Sequence, residues 1–103
     1  MAGSFRELAN LDRVIHEPSR LMILALLHPL EAADFVFLLR ETGLTRGNLS
    51  AHMSKLEEAG YVKVEKGFRG KISQTTYSLT EEGRGAYQRY REQMRRAVES
   101  LPQ

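Results

Sequence analysis

The feature that most constrains this chain is a change of hydrophobic period at Gly60. Before it, apolar residues recur at the three-and-four spacing of helices, and after it Tyr61, Val62 and Val64 fall in the near-alternation of a strand. A helical pattern cannot be satisfied as a sheet, so helices must come first, a hairpin next and, where the helical period returns beyond residue 80, a final helix.

Phe5, Leu8, Leu11, Val14 and Ile15 predict a first helix that stops before Pro18. Pro18 suits the first turn of a second helix, with Leu21, Leu24 and Leu27 along one face and an end at His28 and Pro29. A third helix is expected from about Ala32 to Thr42, with Phe35, Leu38 and Leu39 turned inward and Gly43 as its stop. Leu44 fills the turn, and Thr45 can cap a fourth helix by accepting from an unpaired backbone N–H. Two helices joined by a short glycine-containing turn make a helix-turn-helix, here over residues 32–59.

Beyond Gly60, "YVKV" and "TTYSL" predict two strands, with "KGFRGK" as the hairpin tip, so residues 61–79 form a wing. Thr80 caps a last helix over 81–101, where Glu81 and Glu82 favour the positive end of the dipole. The expected fold is mainly α with a small β-hairpin (α+β), a winged helix-turn-helix in a single domain over residues 1–103.

At 103 residues the chain can bury only about two-thirds of the surface exposed when unfolded, so a second copy would help. Tyr87, Tyr90, Met94, Ala97 and Leu101 step by three and four like a coiled-coil seam, which makes them, with Phe5, Leu8 and Leu11 of the first helix, candidate homodimerisation residues. The competing reading is that the last helix packs back on the first helix of its own chain.

Hydrophobic content of 42% and charged content of 27% are those of a globular chain. No apolar run approaches the length of a bilayer crossing, and "MAGSFRELANLD" lacks a signal pattern, so no membrane partner and a cytoplasmic location are expected. The absence of cysteine excludes disulfides, thiolate metal ligands and cysteine nucleophiles. No Ser-His-Asp order or phosphate-cradling glycine loop is present, so neither catalysis nor a cofactor is expected. His16, His28 and His52 fall on different segments without paired ligand spacing, and no metal site is expected.

Net charge is only +2, but residues 1–44 carry four basic and six acidic groups, whereas residues 61–80 carry Lys63, Lys66, Arg69 and Lys71 against Glu65 alone. A local positive field is the footprint of a polyanionic partner, although charge runs are often just solvated faces.

On a helical wheel the fourth helix puts Leu49, Met53 and Leu56 on one side. Opposite them lie Gly47, Asn48, Ser50, Ala51, Ser54 and Lys55, with Arg46 leading. Such a slim polar face fits the B-DNA major groove, about 12 Å wide, where bulky side chains would hold the helix out. Arg46 can take a guanine edge and Asn48 an adenine edge, while Ser50 and Ser54 suit phosphate or water-mediated contacts and Ala51 a thymine methyl. His52 is balanced between an internal packing role and a phosphate contact. Glu57 and Glu58 belong outside the interface by charge. In the wing, Lys66, Arg69 and Lys71 suit a minor groove or its flanking phosphates, and Phe68 is expected to pack on the hairpin stem rather than insert beside a sugar.

"IHEPSRLMILALL" resembles the helix opening of winged-helix repressors of the ArsR class, and "TRGNLSAHMSKLEEAGYVKVEK" with "TTYSLTEEGR" resembles the MarR-like single-domain winged-helix regulators of prokaryotes. The resemblance covers about residues 14–87. It implies a sequence-specific, double-stranded-DNA-binding transcriptional regulator, expected to be a repressor, that binds a pseudo-palindromic operator as a homodimer through its first and last helices. By position it puts the recognition helix on Arg46 to Leu56 and the wing tip on Gly67 to Lys71. The sequence specifies no small-molecule effector. Because winged helices also serve as protein–protein adaptors, that is the alternative reading.

Overall fold

Asp12 decides how the chain begins. Its Oδ1 accepts the backbone N–H groups of Val14 (2.9 Å) and Ile15 (3.3 Å), its carbonyl accepts that of His16, and its Oδ2 accepts the Tyr61 hydroxyl. A side chain that satisfies nearby amides in this way competes with a helical ladder. In the structure, a computed structural model describing residues 6–102, the expected first helix is therefore only a 3₁₀ turn at Arg6–Asn10. Leu11 and Ile15 are nevertheless buried: the apolar spacing identified which residues go inward but not their backbone conformation. Phe5 lies outside the described residues. Burial, reinforced by the Asp12 carboxylate, pushes the Tyr61 phenol up to about 12.

Helix α1, Pro18–Leu27, starts at the proline as expected, but its cap is Glu17, whose carboxylate accepts from the Ser19 and Arg20 amides. Ile23, Leu24 and Leu27 are buried. The third helix begins later than the apolar pattern implied. Ala33–Asp34 is extended as strand β1, and Asp34 then caps α2, Phe35–Thr42, by accepting from the Phe37 amide at 2.7 Å. Asp is a far better cap than an interior residue, so the helix starts after it. Gly43 ends α2 at φ 70°, a conformation costly for any residue with a Cβ. Thr45 caps α3, Arg46–Glu58, as predicted.

The wing is longer and narrower at its end than expected. Strand β2, Val62–Arg69, pairs with β3, Ile72–Leu79, through to Arg69 opposite Ile72. Only Gly70 and Lys71 form the turn, so Lys66 to Arg69 belong to a strand rather than to the tip. Gly70 is at φ 65° and Lys71 is not at positive φ, the pattern of a two-residue II′ hairpin. The β1 strand pairs antiparallel with β3, Ala33 opposite Tyr77 and Asp34 opposite Thr76, which makes the sheet three-stranded in the order β1-β3-β2.

Helix α4, Glu81–Ser100, is capped by Thr80, whose hydroxyl also donates to the Gly60 carbonyl at 2.6 Å. Much of its expected dimerisation seam is covered by its own chain. Tyr87 is 9% exposed, Tyr90 4% and Ala97 0%, and Leu11 of the N-terminal segment is likewise buried. The His16 ring meets the Tyr90 hydroxyl at 2.7 Å, and Arg96 pairs with Glu7 of the 3₁₀ turn, also at 2.7 Å. Leu8, Val98 and Leu101 stay exposed and Met94 is half-buried. Between α1 and α4 runs an apolar groove of about 590 Å³, lined chiefly by Leu21, Ala25, Tyr87, Tyr90, Met94 and Val98.

Gly83 is where α4 meets the wing base most closely, since a Cβ there would lie 2.1 Å from the Tyr61 carbonyl oxygen. Gly83→Ala should therefore lower stability by about 1–3 kcal/mol in urea unfolding even though alanine is the better helix former. A midpoint equal to wild type would mean that this contact yields without cost.

Candidate nucleic-acid interface

Leu49, Met53 and Leu56 are buried, and their burial turns the opposite side of α3 outward. Arg46, Gly47, Asn48, Ser50, Ala51, Ser54 and Lys55 are all exposed, as the helical wheel anticipates. Nothing lies within 4 Å of where a Gly47 Cβ would stand, so packing within the chain does not require glycine there. The slimness of this face is a property of the surface.

His52 departs from the exposed set. It is half-buried, with Nδ1 3.4 Å from Glu17 Oε2 and 3.2 Å from Arg20 Nη1. Its ring thus meets residues of its own chain. Arg20 in turn donates from Nε to the Val14 carbonyl at 2.5 Å. A guanidinium only donates, so His52 Nδ1 accepts from Arg20, which joins the flank of α3 to the segment before α1; sequence reasoning singled out neither Arg20 nor Glu17. The only available signal was an acidic residue just before a helix-opening proline. Burial works to raise the Glu17 pKa, but the Ser19 and Arg20 amides, with the charges of His52 and Arg20, hold it below the usual carboxylate range.

Strand alternation separates the wing's basic side chains. Lys66 and Phe68 lie on the face of Val62 and Val64, whereas Arg69 shares the other face with Ile72 and Gln74, and Lys71 sits in the turn. Lys63 is paired with Glu65 at 3.0 Å, which leaves Lys66, Arg69 and Lys71 as the wing's exposed positive field. The expectation that Phe68 packs on the stem is corrected: it is 78% exposed because the hairpin extends past the core that covers Val62 and Tyr77. Arg46 is also turned in an unexpected direction, its guanidinium 5.8 Å above the Phe35 ring. The other histidines are engaged elsewhere, His16 with Tyr90 and His28 against the Tyr87 ring.

Comparison with known proteins agrees with this geometry. Residues 19–98 match the family described as Winged helix DNA-binding domain. An uncharacterized protein of Methanocaldococcus jannaschii is 38% identical over 79 residues, spanning 76% of this chain and 85% of its own. The structure of a transcriptional regulator homologue from Pyrococcus horikoshii superposes with a TM-score of 0.87 at 27% identity, covering 95% of this chain and 99% of its own. A MarR-family transcriptional regulator from Silicibacter pomeroyi shares the fold, with a TM-score of 0.64 at 24% identity over 91% of this chain and 65% of its own.

The Glu17 cap carries a pH signature. Its folded-state pKa is depressed from the ordinary 4.5, so its stabilisation is fully present above that value and is lost as pH falls through the folded-state pKa. Glu17→Gln should cost about 1 kcal/mol at neutral pH and flatten the decline in stability that sets in below about pH 5. Chemical denaturation at a series of pH values checks this, and parallel curves for the two proteins would refute it.

Proposed function

This chain belongs to the winged helix DNA-binding domain family, and from that premise we propose that it is a sequence-specific transcriptional regulator, a repressor that binds a pseudo-palindromic operator in double-stranded DNA as a homodimer. Its family and fold are those of transcriptional regulators rather than enzymes, in line with the resemblance carried by residues 15–27 and 45–84. The observation that carries the proposal is the exposed, small-residue polar face of α3, backed by a buried apolar stripe. Asn48 projects from its first turns, where it can take an adenine edge bidentately. Ser50, Ser54 and Lys55 line the same face toward the phosphates.

The homodimer reading is supported by what α4 leaves uncovered. Val98 and Leu101 are exposed at the end of α4 that lines the apolar groove against α1, and a second copy bringing the same residues across a two-fold axis would cover them. Two copies would set recognition helices about 34 Å apart, one turn of the duplex, and repression would follow from occluding polymerase. The adaptor alternative draws on Phe68 and Ile72, whose exposure would equally suit a protein partner.

Selection from a random DNA pool, followed by binding titrations, separates these readings. Asn48→Ala should lose about 1–3 kcal/mol of discrimination at a particular base pair, whereas Lys66→Ala with Arg69→Ala should weaken all sequences about equally. If each protomer neutralises about three phosphates, log affinity should fall against log salt with a slope near −5. Recovery of no preferred sequence, with affinity indifferent to both sets of changes, would favour the adaptor. By sedimentation the protein should be a dimer at micromolar concentration, and Val98→Glu with Leu101→Glu should render it monomeric without unfolding it. A wild-type monomer would remove the paired-groove geometry.

A further inference from the structure

We propose that the cleft between the start of α3 and the outer edge of β3 is a clamp for one DNA backbone phosphate, gripped by Arg46 and Arg69 together, so that Arg46 positions the duplex instead of reading a base. The proposal rests on the DNA-binding reading above and deepens it.

Arg46 is the first residue of α3 and Arg69 the last of β2, yet both line one cleft of about 390 Å³, together with Phe35, Ser73, Gln74 and Thr75. The Arg46 guanidinium is held over the Phe35 ring, and Phe35 in turn lies 6.4 Å from the ring of the buried Tyr77. A cation stacked on an anchored ring keeps its direction. Here that direction is sideways, into the cleft toward the wing, and not forward along the face that carries Asn48 and Ser50.

The charge balance of the cleft favours an anion. Its one carboxylate, Asp34, is already committed, Oδ1 to the Phe37 amide at 2.7 Å and Oδ2 to the Gln74 side chain at 3.1 Å. Two guanidiniums against one hydrogen-bonded carboxylate leave a net positive charge, and guanidinium forks match phosphate oxygens bidentately. The strand edge adds donors. The β1 strand covers β3 only at Thr76 and Tyr77, so among the described residues no strand pairs with the outer backbone of β3 from Ile72 to Thr75. Ile72 and Val36, both exposed at the rim, offer apolar surface to a deoxyribose.

Geometry supplies the reason for a backbone phosphate in particular. A helix in the major groove and a hairpin over the neighbouring minor groove are separated by one sugar-phosphate strand, because that strand is the wall between the grooves. The cleft between α3 and the wing must straddle it.

The test uses full-length protein, its preferred duplex, a scrambled duplex, and preferred duplexes carrying a neutral methylphosphonate at successive backbone positions. Arg46→Ala should weaken the preferred and scrambled duplexes by the same factor, about tenfold, and the double change with Arg69→Ala should make the salt slope shallower by about 0.9 per protomer. Arg46→Lys should recover only part of the loss, since ammonium is a single point charge. The methylphosphonate scan should find one position where wild type loses more affinity than Arg46→Ala or Arg69→Ala does, and where the double variant loses none. A greater loss on the preferred than on the scrambled duplex would show base reading and overturn the clamp, as would a scan in which the variants respond like wild type at every position. If wild type binds neither duplex, the DNA-binding reading fails and the clamp with it. Wild-type binding with unequal losses overturns the clamp alone. Arg46 is exposed, so an unchanged melting temperature confirms that the variant is folded.

Discussion

The rotation of α3 about its own axis is the constraint on which the rest depends, and three side chains set it. Leu49, Met53 and Leu56 are buried, each contributing about 1.5–3 kcal/mol by removal from water. Together that approaches the whole stability of a typical small domain, about 5–15 kcal/mol. Turning the helix to hide Asn48 and Ser50 would forfeit it. The outward direction of the polar face is therefore not adjustable by small local interactions, and partners must meet that face as it stands.

Rotation alone does not fix the ends and flanks of α3, and short-range polar contacts complete its placement. Thr45 sets where it starts, Arg20 holds its side through His52, and Tyr61, just beyond its end, is tied to Asp12. Glu17 caps α1 in the same cluster, accepting from the Ser19 and Arg20 amides. Residues 6–17 thus support the candidate interface with a 3₁₀ turn in place of an α-helix.

The wing follows another logic. Only its base shares the core, through Val62 and Tyr77, and its outer half is held by ladder hydrogen bonds and a tight glycine turn. Phe68 and Ile72 remain open to solvent on opposite faces. A hairpin of this kind costs the fold little to extend and presents Arg69 beside the start of α3, where the α2 ring Phe35 orients Arg46.

By itself the sequence determined which helical residues form the core (though not the exposure of Phe68 in the wing), where α1, α3 and α4 start, and which side of α3 stays polar. These follow from periodicity and from Pro18, Gly43, Thr45 and Thr80, all of which act within a few residues of their own position. Tertiary structure decided the rest. The Leu11 and Ile15 segment abandoned its helix because Asp12 bonds both to local amides and to Tyr61, and Ala33–Asp34 became a strand because Tyr77 and Thr76 lie beside it. The contact of His52 with Arg20, the covering of Tyr87 and Tyr90 by their own chain, and the stacking of Arg46 over Phe35 are likewise meetings brought about by other elements. Periodicity assigns a side chain to a face, but a partner brought up by another element decides what that side chain does there.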